Sequence, residues 1–464
     1  MKEFDTICAI ATPVGVGGIA IIRMSGSGAE ATAEKIAFPK SGKKITELES
    51  HKLTLSEIKT QDGGEILDEA LVAVMRGPNS YTGETVVEIN CHGGYLAAES
   101  IIEELFFAGA RQAEAGEFTR RAFVNGKLDL VGAEAVIDLI HANSEMGQSN
   151  AAKILSGKLS KKVNKIREKA ILFAANISAV ADYPDEIDEM SQNELVDKID
   201  EICKDIDEML GGFSRGKIMR DGILTVIAGR PNVGKSSLLN ALSRTERAIV
   251  TDIPGTTRDT VEEYININGI ALRLVDTAGI RESENSVEQI GIEKAKENIK
   301  KADLCLFVVD ASVGITPRDL EIFEYIKDKN VIVILNKTDI AKSADILALA
   351  EKLGLDEGSF VLTSLPKAGE VHGISELEAR VTEMFMSGAV SKDDVFISND
   401  RQKNALIKAK KIAAEMKNSV ENGMPADMLY VDLEEVIASL GELTGQTVQD
   451  EIIDKVFERF CVGK

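Results

Sequence analysis

The 464-residue chain lacks any apolar run near the ~18 residues needed to cross a bilayer, so no spanning helix is expected. It also lacks a C-x-x-C pair. Its five cysteines (Cys8, Cys91, Cys203, Cys305 and Cys461) are scattered and odd in number. That usage fits a reducing compartment and argues against a disulfide or zinc framework. The opening "MKEFDTICAI" places acids before a short apolar stretch, unlike a secretory signal, so a cytoplasmic location without membrane attachment is expected. Net positive charge is absent too. At −22 the chain repels phosphate backbones overall, so any nucleic-acid contact needs a local basic face. What is present is the composition of a soluble globular protein, 44% hydrophobic and 28% charged. The length calls for two to four domains.

Three textures follow one another along the chain. Residues 1–125 read as α+β, with short strands in "TICAIAT" and "GGIAIIRMSG" split by the turn "PVGV". "TVVEINCH" alternates, which puts Val87, Ile89 and Cys91 on one side and Glu88, Asn90 and His92 on the other. Pattern alone reads the polar side as a solvated sheet face. Over 126–215 the period is helical. One stripe is Leu155, Leu159, Val163, Ile166, Ala170, Phe173, Ile177 and Val180, and another is Leu195, Ile199, Ile202, Ile206, Met209 and Phe213, with "YPDE" between them. The early part of the first helix is basic (Lys153, Lys158, Lys161, Lys162, Lys165, Arg167, Lys169) and the second is acidic, which reads first as two solvated faces flanking a core. Over 216–382, "ILTVIAG", "IALRLVD", "LCLFVVD", "VIVILN" and "SFVLTS" are strand-length apolar runs separated by helices, as in a doubly wound, mainly parallel sheet. Over 383–464 the helical period returns in Leu406, Ala409, Ile412, Ala413, Met416 and Val420. A last helix, expected from Thr447 with Asp450 as a capping signal, carries Ile452, Ile453, Val456, Phe457 and Phe460. The architecture expected is a helical domain interrupted by an inserted α/β domain.

"GRPNVGKSS" lies between the strand "ILTVIA" and the helix "SSLLNALS" and matches G-x-x-x-x-G-K-[ST] in the required setting. Gly229 and Gly234 let the backbone wrap a phosphate, and the amides from Asn232 and Val233 to Ser237 supply positive potential. Lys235 reaches for the β- and γ-phosphates and Ser236 for Mg²⁺. In "VTDIPGTTRD", Thr251, Asp252, Ile253, Pro254, Gly255 and Thr256 form a loop against the nucleotide, and Thr257 is a second Mg²⁺ hydroxyl and γ-phosphate sensor. "DTAG" (Asp276, Thr277, Ala278, Gly279) puts a carboxylate near the metal and an amide near the γ-phosphate. In "NKTD", Asp339 accepts from the N1–H and exocyclic amine of guanine, a donor pair adenine lacks. Asn336 and Lys337 brace the base and its loop. Four such elements in order specify a GTP-binding domain. Hydrolysis is a separate matter. Ras-type domains place Gln after D-x-x-G, and Ile280 stands there. The polar groups at hand are Glu282, Glu284, Glu288 and Gln289, and Arg258 reads equally as a finger or a surface residue.

"ATPVGVGGIAIIRMSG", "GPNSYTGE", "CHGG", "GEFTRRAFVNGKLDL", "IVTDIPGTTRDT", "DTAGIRE" and the terminal "CVGK", taken with the P-loop, resemble the bacterial tRNA modification GTPases of the MnmE (TrmE) family over nearly the whole chain. The resemblance implies an N-terminal tetrahydrofolate-binding and dimerisation domain, a helical domain and an inserted G domain. It implies a homodimer that, with the flavoprotein partner MnmG carrying the FAD, adds an aminomethyl or carboxymethylaminomethyl group to C5 of wobble uridine 34 in certain tRNAs. The one-carbon donor would be 5,10-methylene- or 5-formyl-tetrahydrofolate. G domains would pair when GTP binds, with K⁺ in place of an arginine finger, held by Asn232, Thr251, Ile253 and Thr256. Glu288 would orient the water. Arg23, Glu88, Lys127 and Lys464 would contact the folate. The last guanine loop departs from the usual Ser-Ala-Lys, keeping Ser364 but following it with Leu365 and Pro366.

The tail "FCVGK" has three readings. It is a frayed end; or a prenylation site, which Gly463 and Lys464 fit poorly; or, if Lys464 meets the folate, a docked element. In the last case Cys461, beside Arg459 and Lys464, is a low-pKa group acting in one-carbon transfer or a small apolar plug. Two other functions compete with tRNA modification: a GTP switch that binds RNA during assembly without covalent chemistry, and a folate-sensing GTPase.

Overall fold

A computed structural model describes residues 5–13, 15–245, 262–275, 297–341, 346–366, 370–386, 393–448 and 450–464. The chain divides into two compact units, one formed by Met1–Ile140, Ile154–Asp205 and Ala405–Lys464, the other by His141–Lys153 and Ile206–Asn404.

The first unit is built on a seven-stranded sheet. Its strands are β1 (Ile7–Ile10), β2 (Ile19–Ser25), β3 (Ala37–Pro39), β4 (Leu53–Lys59), β5 (Ile66–Met75), β6 (Val86–His92) and β7 (Arg111–Gln112), in the order β3-β4-β5-β6-β2-β1-β7. All neighbours pair antiparallel except β1 and β7. Alternation in β6 holds: Val87, Ile89 and Cys91 are buried with Ile101 and Leu105 of helix Tyr95–Phe107, which covers that face. Glu88 therefore points to the other face, directly across from Arg23 on β2. Helix Glu117–Val124 follows β7 and ties this end together through charge. Buried Arg121 (5% exposed) bonds buried Glu117 (2% exposed), Glu84 and Asp5, and Arg111 bonds Asp5 and Glu117. Burial raises the carboxyl pKa values of Asp5 and Glu117, but hydrogen bonds from the two arginines outweigh it and hold both below the ordinary range.

The expected helical stripes are buried. Leu159, Val163, Ile166, Ala170, Phe173 and Ile177 lie on the core side of helix Lys158–Asp182, and Leu406, Ala409, Ile412, Ala413, Met416 and Val420 on that of Asp400–Glu421. Tyr183 ends the first helix where "YPDE" was expected to. Two boundaries differ from expectation. Gly157 adopts a left-handed φ of 83° and breaks the helix there, so Lys153 belongs to the preceding helix, Glu145–Leu155. The last helix is Asp450–Phe457 and stops short of Phe460, while the Thr447 hydroxyl donates back to Ala438 O (2.7 Å). Lys169 of the basic run spends its ammonium on Glu201 and Asp205, which makes part of that run an internal clasp.

The second unit carries a six-stranded sheet of β8 (Ile223–Ala228), β9 (Glu262–Ile267), β10 (Ile270–Val275), β11 (Leu304–Asp310), β12 (Asn330–Asn336) and β13 (Phe360–Leu362), in the order β13-β12-β11-β8-β10-β9. Every pair is parallel except β9 with β10. All seven residues of β11 are buried, as a central parallel strand covered on both faces requires. Separate apolar clusters line those faces, one around Leu306 and Ile334, the other around Phe307 and Leu335. The carboxyl ends of β8, β11 and β12 lead into the nucleotide motifs, where open α/β sheets bind ligands. Among the described residues no helix is long and apolar enough to cross a membrane.

Candidate functional site

The nucleotide loop runs from the end of β8 to helix Lys235–Thr245. Gly229 (φ 144°) passes so close to β11 that a Cβ would lie 2.4 Å from Val308 O. Gly234 (φ 111°) faces Asn336, whose Nδ2 would be 2.0 Å from a Cβ there. Asn232 between them takes a left-handed φ of 62°, which Asn tolerates better than most residues. Lys235 Nζ donates to Gly229 O (2.7 Å) and Arg230 O (2.8 Å), so the ammonium already sits over the loop. Burial lowers its pKa.

"NKTD" meets this loop directly. Asn336 Nδ2 donates to Val233 O (2.9 Å) and its Oδ1 accepts from Thr363 (3.3 Å). Lys337 adopts φ 66° and bonds Asp310 Oδ2 at 2.6 Å. A cavity of about 460 Å³ opens between the two motifs, lined by Asn232, Gly234, Lys235, Ser236 and Ser237 on one side and Asn336, Lys337 and Asp339 on the other. Asp339 is exposed into it, ready to accept from a base.

The Val233 side chain is buried in the core (2% exposed), and its carbonyl accepts from Asn336 Nδ2. Ser364 is buried, and its N–H donates to His372 O (3.2 Å). Leu365 and Pro366, in place of the usual small and basic residues, line the cavity as an apolar wall. The expected residues Thr251, Asp252, Ile253, Pro254, Gly255, Thr256, Thr257, Asp276, Thr277, Ala278, Gly279 and Glu288 lie outside the described residues. The sequence reading missed Asp310, which holds Lys337, and Asp319, wholly buried and bonded to Arg230 of the nucleotide loop at 2.7 Å. Asp310 ends the run "LCLFVVD", and a charge closing an apolar strand was the available signal.

The first unit has a second constellation. Arg23 Nε donates to Glu88 Oε1 (2.8 Å) and Nη1 to Gly463 O (3.4 Å). Burial lowers the pKa of Lys464, Arg23 lowers it further, and Glu88 opposes the shift, so the last residue shares its surroundings with both. The tail is docked. Val462 bridges Ala115, Gly116 N donates to Cys461 O (3.4 Å), and Gly463 (φ 99°) lies so near β1 that a Cβ would be 2.4 Å from Ile10 O. Cys461 is exposed, which removes the plug reading. The structure thus brings Arg23, Glu88 and Lys464 together. Lys127 packs against the loop Gly77–Glu84, with Nζ donating to Pro78 O (2.9 Å). Two cations against one carboxylate make a site for an acidic or carbonyl-rich ligand. Among the described residues no cluster of His, Cys, Asp or Glu could hold a metal by itself.

The family described as "GTP-binding protein TrmE N-terminus" matches residues 6–127, and "MnmE helical domain" matches residues 130–461. A tRNA modification GTPase MnmE of Carboxydothermus hydrogenoformans is 47% identical over 99% of both chains, and one of Bacillus thuringiensis is 43% identical over 100% of both. A solved structure of Aquifex aeolicus Era bound to GDP and AlF₄⁻ is 34% identical over 40% of this chain and 65% of its own, with a TM-score of 0.28. The chain belongs to the MnmE (TrmE) family of tRNA modification GTPases.

Proposed function

We propose that this GTPase acts on tRNA as one half of a two-protein enzyme. With a flavoprotein partner of the MnmG kind, which carries the FAD, it adds an aminomethyl or carboxymethylaminomethyl group to C5 of wobble uridine 34. The carbon comes from 5,10-methylene- or 5-formyl-tetrahydrofolate. The observation that carries this reading is the docked tail: a chain with a guanine-nucleotide cavity also folds its last two residues against Arg23 and Glu88. A simple GTP switch has no use for that second site.

In this reading Arg23, Glu88, Lys127 and Lys464 hold the folate, and exposed Cys461 acts as an acid–base or nucleophilic group in one-carbon transfer. The nucleotide loop, Lys235 and Ser237 hold the phosphates, and Asp339 selects guanine. Ser236 and Thr257 hold Mg²⁺. Asn232, Thr251, Ile253 and Thr256 hold K⁺, which offsets charge developing between the β- and γ-phosphates. Asn232 lines the nucleotide cavity, which supports that role. Glu288 orients the attacking water that Ile280 cannot. The protein works as a homodimer in the cytoplasm, and pairing of its G domains activates hydrolysis.

Equilibrium dialysis with 5-formyltetrahydrofolate, beside GTP hydrolysis in K⁺ and in Na⁺, tests the reading. Folate binding together with K⁺-stimulated hydrolysis is expected. A chain that hydrolyses GTP but binds no folate is an assembly switch instead.

A further inference from the structure

Helix Lys158–Asp182 changes character along its length. Its first half is basic (Lys158, Lys161, Lys162, Lys165), while its last turn holds no basic residue. Residues 182–189 then add five acids (Asp182, Asp185, Glu186, Asp188 and Glu189) and no base. A helix C-terminus carries the negative end of the macrodipole, which a cation in the last turn commonly offsets. This helix supplies none there.

An open cavity of about 600 Å³ lies at this end, lined by both Lys158–Asp182 and Leu429–Thr444. Small and apolar side chains make much of its wall: Ala174, Ala175, Ser178 and Ala179 from the first helix, Ile437 and Ala438 from the second. Tyr183, Tyr430, Asp182 and Glu434 line it as well, and among the described residues no Lys, Arg or His does. The Tyr430 hydroxyl donates to Glu434. On the same two helices and the turn before the second, Leu172 (70%), Val431 (69%) and Met428 (62%) stand exposed. A smaller cavity of about 290 Å³ at the same helix end repeats the pattern, with Ile177 and Val180 beside Glu189 and Asp427 and again no base in its lining among the described residues.

We propose that the groove between helices Lys158–Asp182 and Leu429–Thr444 is a docking surface for a basic, amphipathic helix of a partner protein. The apolar stripe of such a helix meets the alanine-rich wall and covers the large side chains now in water. Its cations meet Asp182, Glu434 and the faces of Tyr183 and Tyr430. Nucleic acid is the wrong occupant, because phosphates would face those carboxylates and the negative end of the helix. The inference does not depend on the folate or tRNA readings, which rest on other residues.

The probe is a fluorescein-labelled peptide of about 18 residues, Leu and Lys at amphipathic helical spacing. It is titrated with the full chain in about 0.15 M NaCl and read by fluorescence polarisation. Ala175 is exposed, so Ala175→Trp fills the groove without changing charge. Ala175→Trp and Glu434→Lys should each weaken binding about tenfold or more. Glu103→Lys makes the same charge change at an exposed position of helix Tyr95–Phe107 and should stay within about twofold of wild type. A Leu and Glu peptide of the same spacing should not bind. Wild-type affinity in Ala175→Trp, or equal losses in Glu103→Lys and Glu434→Lys, would mean that the peptide answers only to net charge, and the proposal falls. It falls too if a short single-stranded RNA binds wild type and is lost in Ala175→Trp, which makes the occupant nucleic acid. Sedimentation without peptide checks the remaining occupant: if Ala175→Trp splits the assembly of the chain, a second copy covers the groove and the proposal is overturned. Should Ala175→Trp melt early, Ala175→Gln keeps a good helix former, crowds the same wall and reads the same way.

Discussion

Gly463→Ala is the sharpest perturbation available to this fold. Gly463 has φ 99°, and a left-handed backbone costs an L-residue roughly 1–2 kcal/mol. The added Cβ would also lie 2.4 Å from Ile10 O. That oxygen belongs to the last residue of β1, whose backbone is held in register with Ile22 of β2, so stepping back would strain that pairing. Against this strain the tip is held by little: a 3.4 Å bond from Gly116 N to Cys461 O, the Val462–Ala115 bridge and a 3.4 Å bond from Arg23 to Gly463 O. Such bonds contribute about 0.5–1.5 kcal/mol each. Strain of ~1–2 kcal/mol before any clash shifts the docking equilibrium by about 5–30-fold, at 1.4 kcal/mol per tenfold. The tip therefore comes away while the domain stays folded. Calorimetry should show 5-formyltetrahydrofolate binding at least about tenfold weaker, with carboxypeptidase trimming the tail faster and the Tm falling by a few degrees at most. Val462→Ala, which keeps the backbone bridge, should match wild type. Folate binding within twofold of wild type in Gly463→Ala, with the tail still protected, would refute the reasoning.

Other consequences are as direct. Gly234→Ala drives a Cβ into Asn336 Nδ2, so binding of a fluorescent GDP analogue should drop more than about tenfold, as the two guanine-site motifs separate. Asn336→Ala leaves Val233 O and Thr363 without their shared partner and should cost about 1–3 kcal/mol, read as a lower melting temperature and weaker nucleotide binding together. Asp339→Asn replaces an acceptor with a donor and should favour xanthosine over guanosine triphosphate in competition binding. Asp5 and Glu117 titrate lower when folded than when unfolded. Their stabilisation is full above the ordinary carboxylate values of 3.8 and 4.5 and is lost as pH falls through the depressed ones. Arg111→Met should move the acid unfolding midpoint, followed by circular dichroism, to higher pH.

The inserted sheet was legible because continuous apolar strands such as "LCLFVVD" and "VIVILN" carry their own evidence, and each strand of β8 and β10–β13 lies where its run predicted. Helical stripes were equally readable. Boundaries were not, because Gly157 and the turn after Phe457 are set by single backbone conformations and not by periodicity. Helix Leu429–Thr444 carries Leu429, Leu433, Val436, Leu440 and Leu443 at the helical spacing, yet the sequence reading did not single it out. In the nucleotide cavity, residues of "GRPNVGKSS" and "NKTD" line one space, but the turn of Ser364 toward His372 depends on a bridge no motif encodes. The second site was the least legible. Arg23 and Glu88 meet through the β2–β6 register, and Gly463 joins them from 440 residues away.

Nucleoside analysis of tRNA is the most direct measure of the central claim. Cells lacking the chain would be complemented with wild type, Cys461→Ser or Asp276→Ala. If the account is right, the modified wobble uridine disappears in the null strain and returns only with the wild-type chain, since both the tail and the GTPase are needed. An unchanged nucleoside profile in the null strain would contradict it, leaving a GTP switch whose docked tail serves some other purpose.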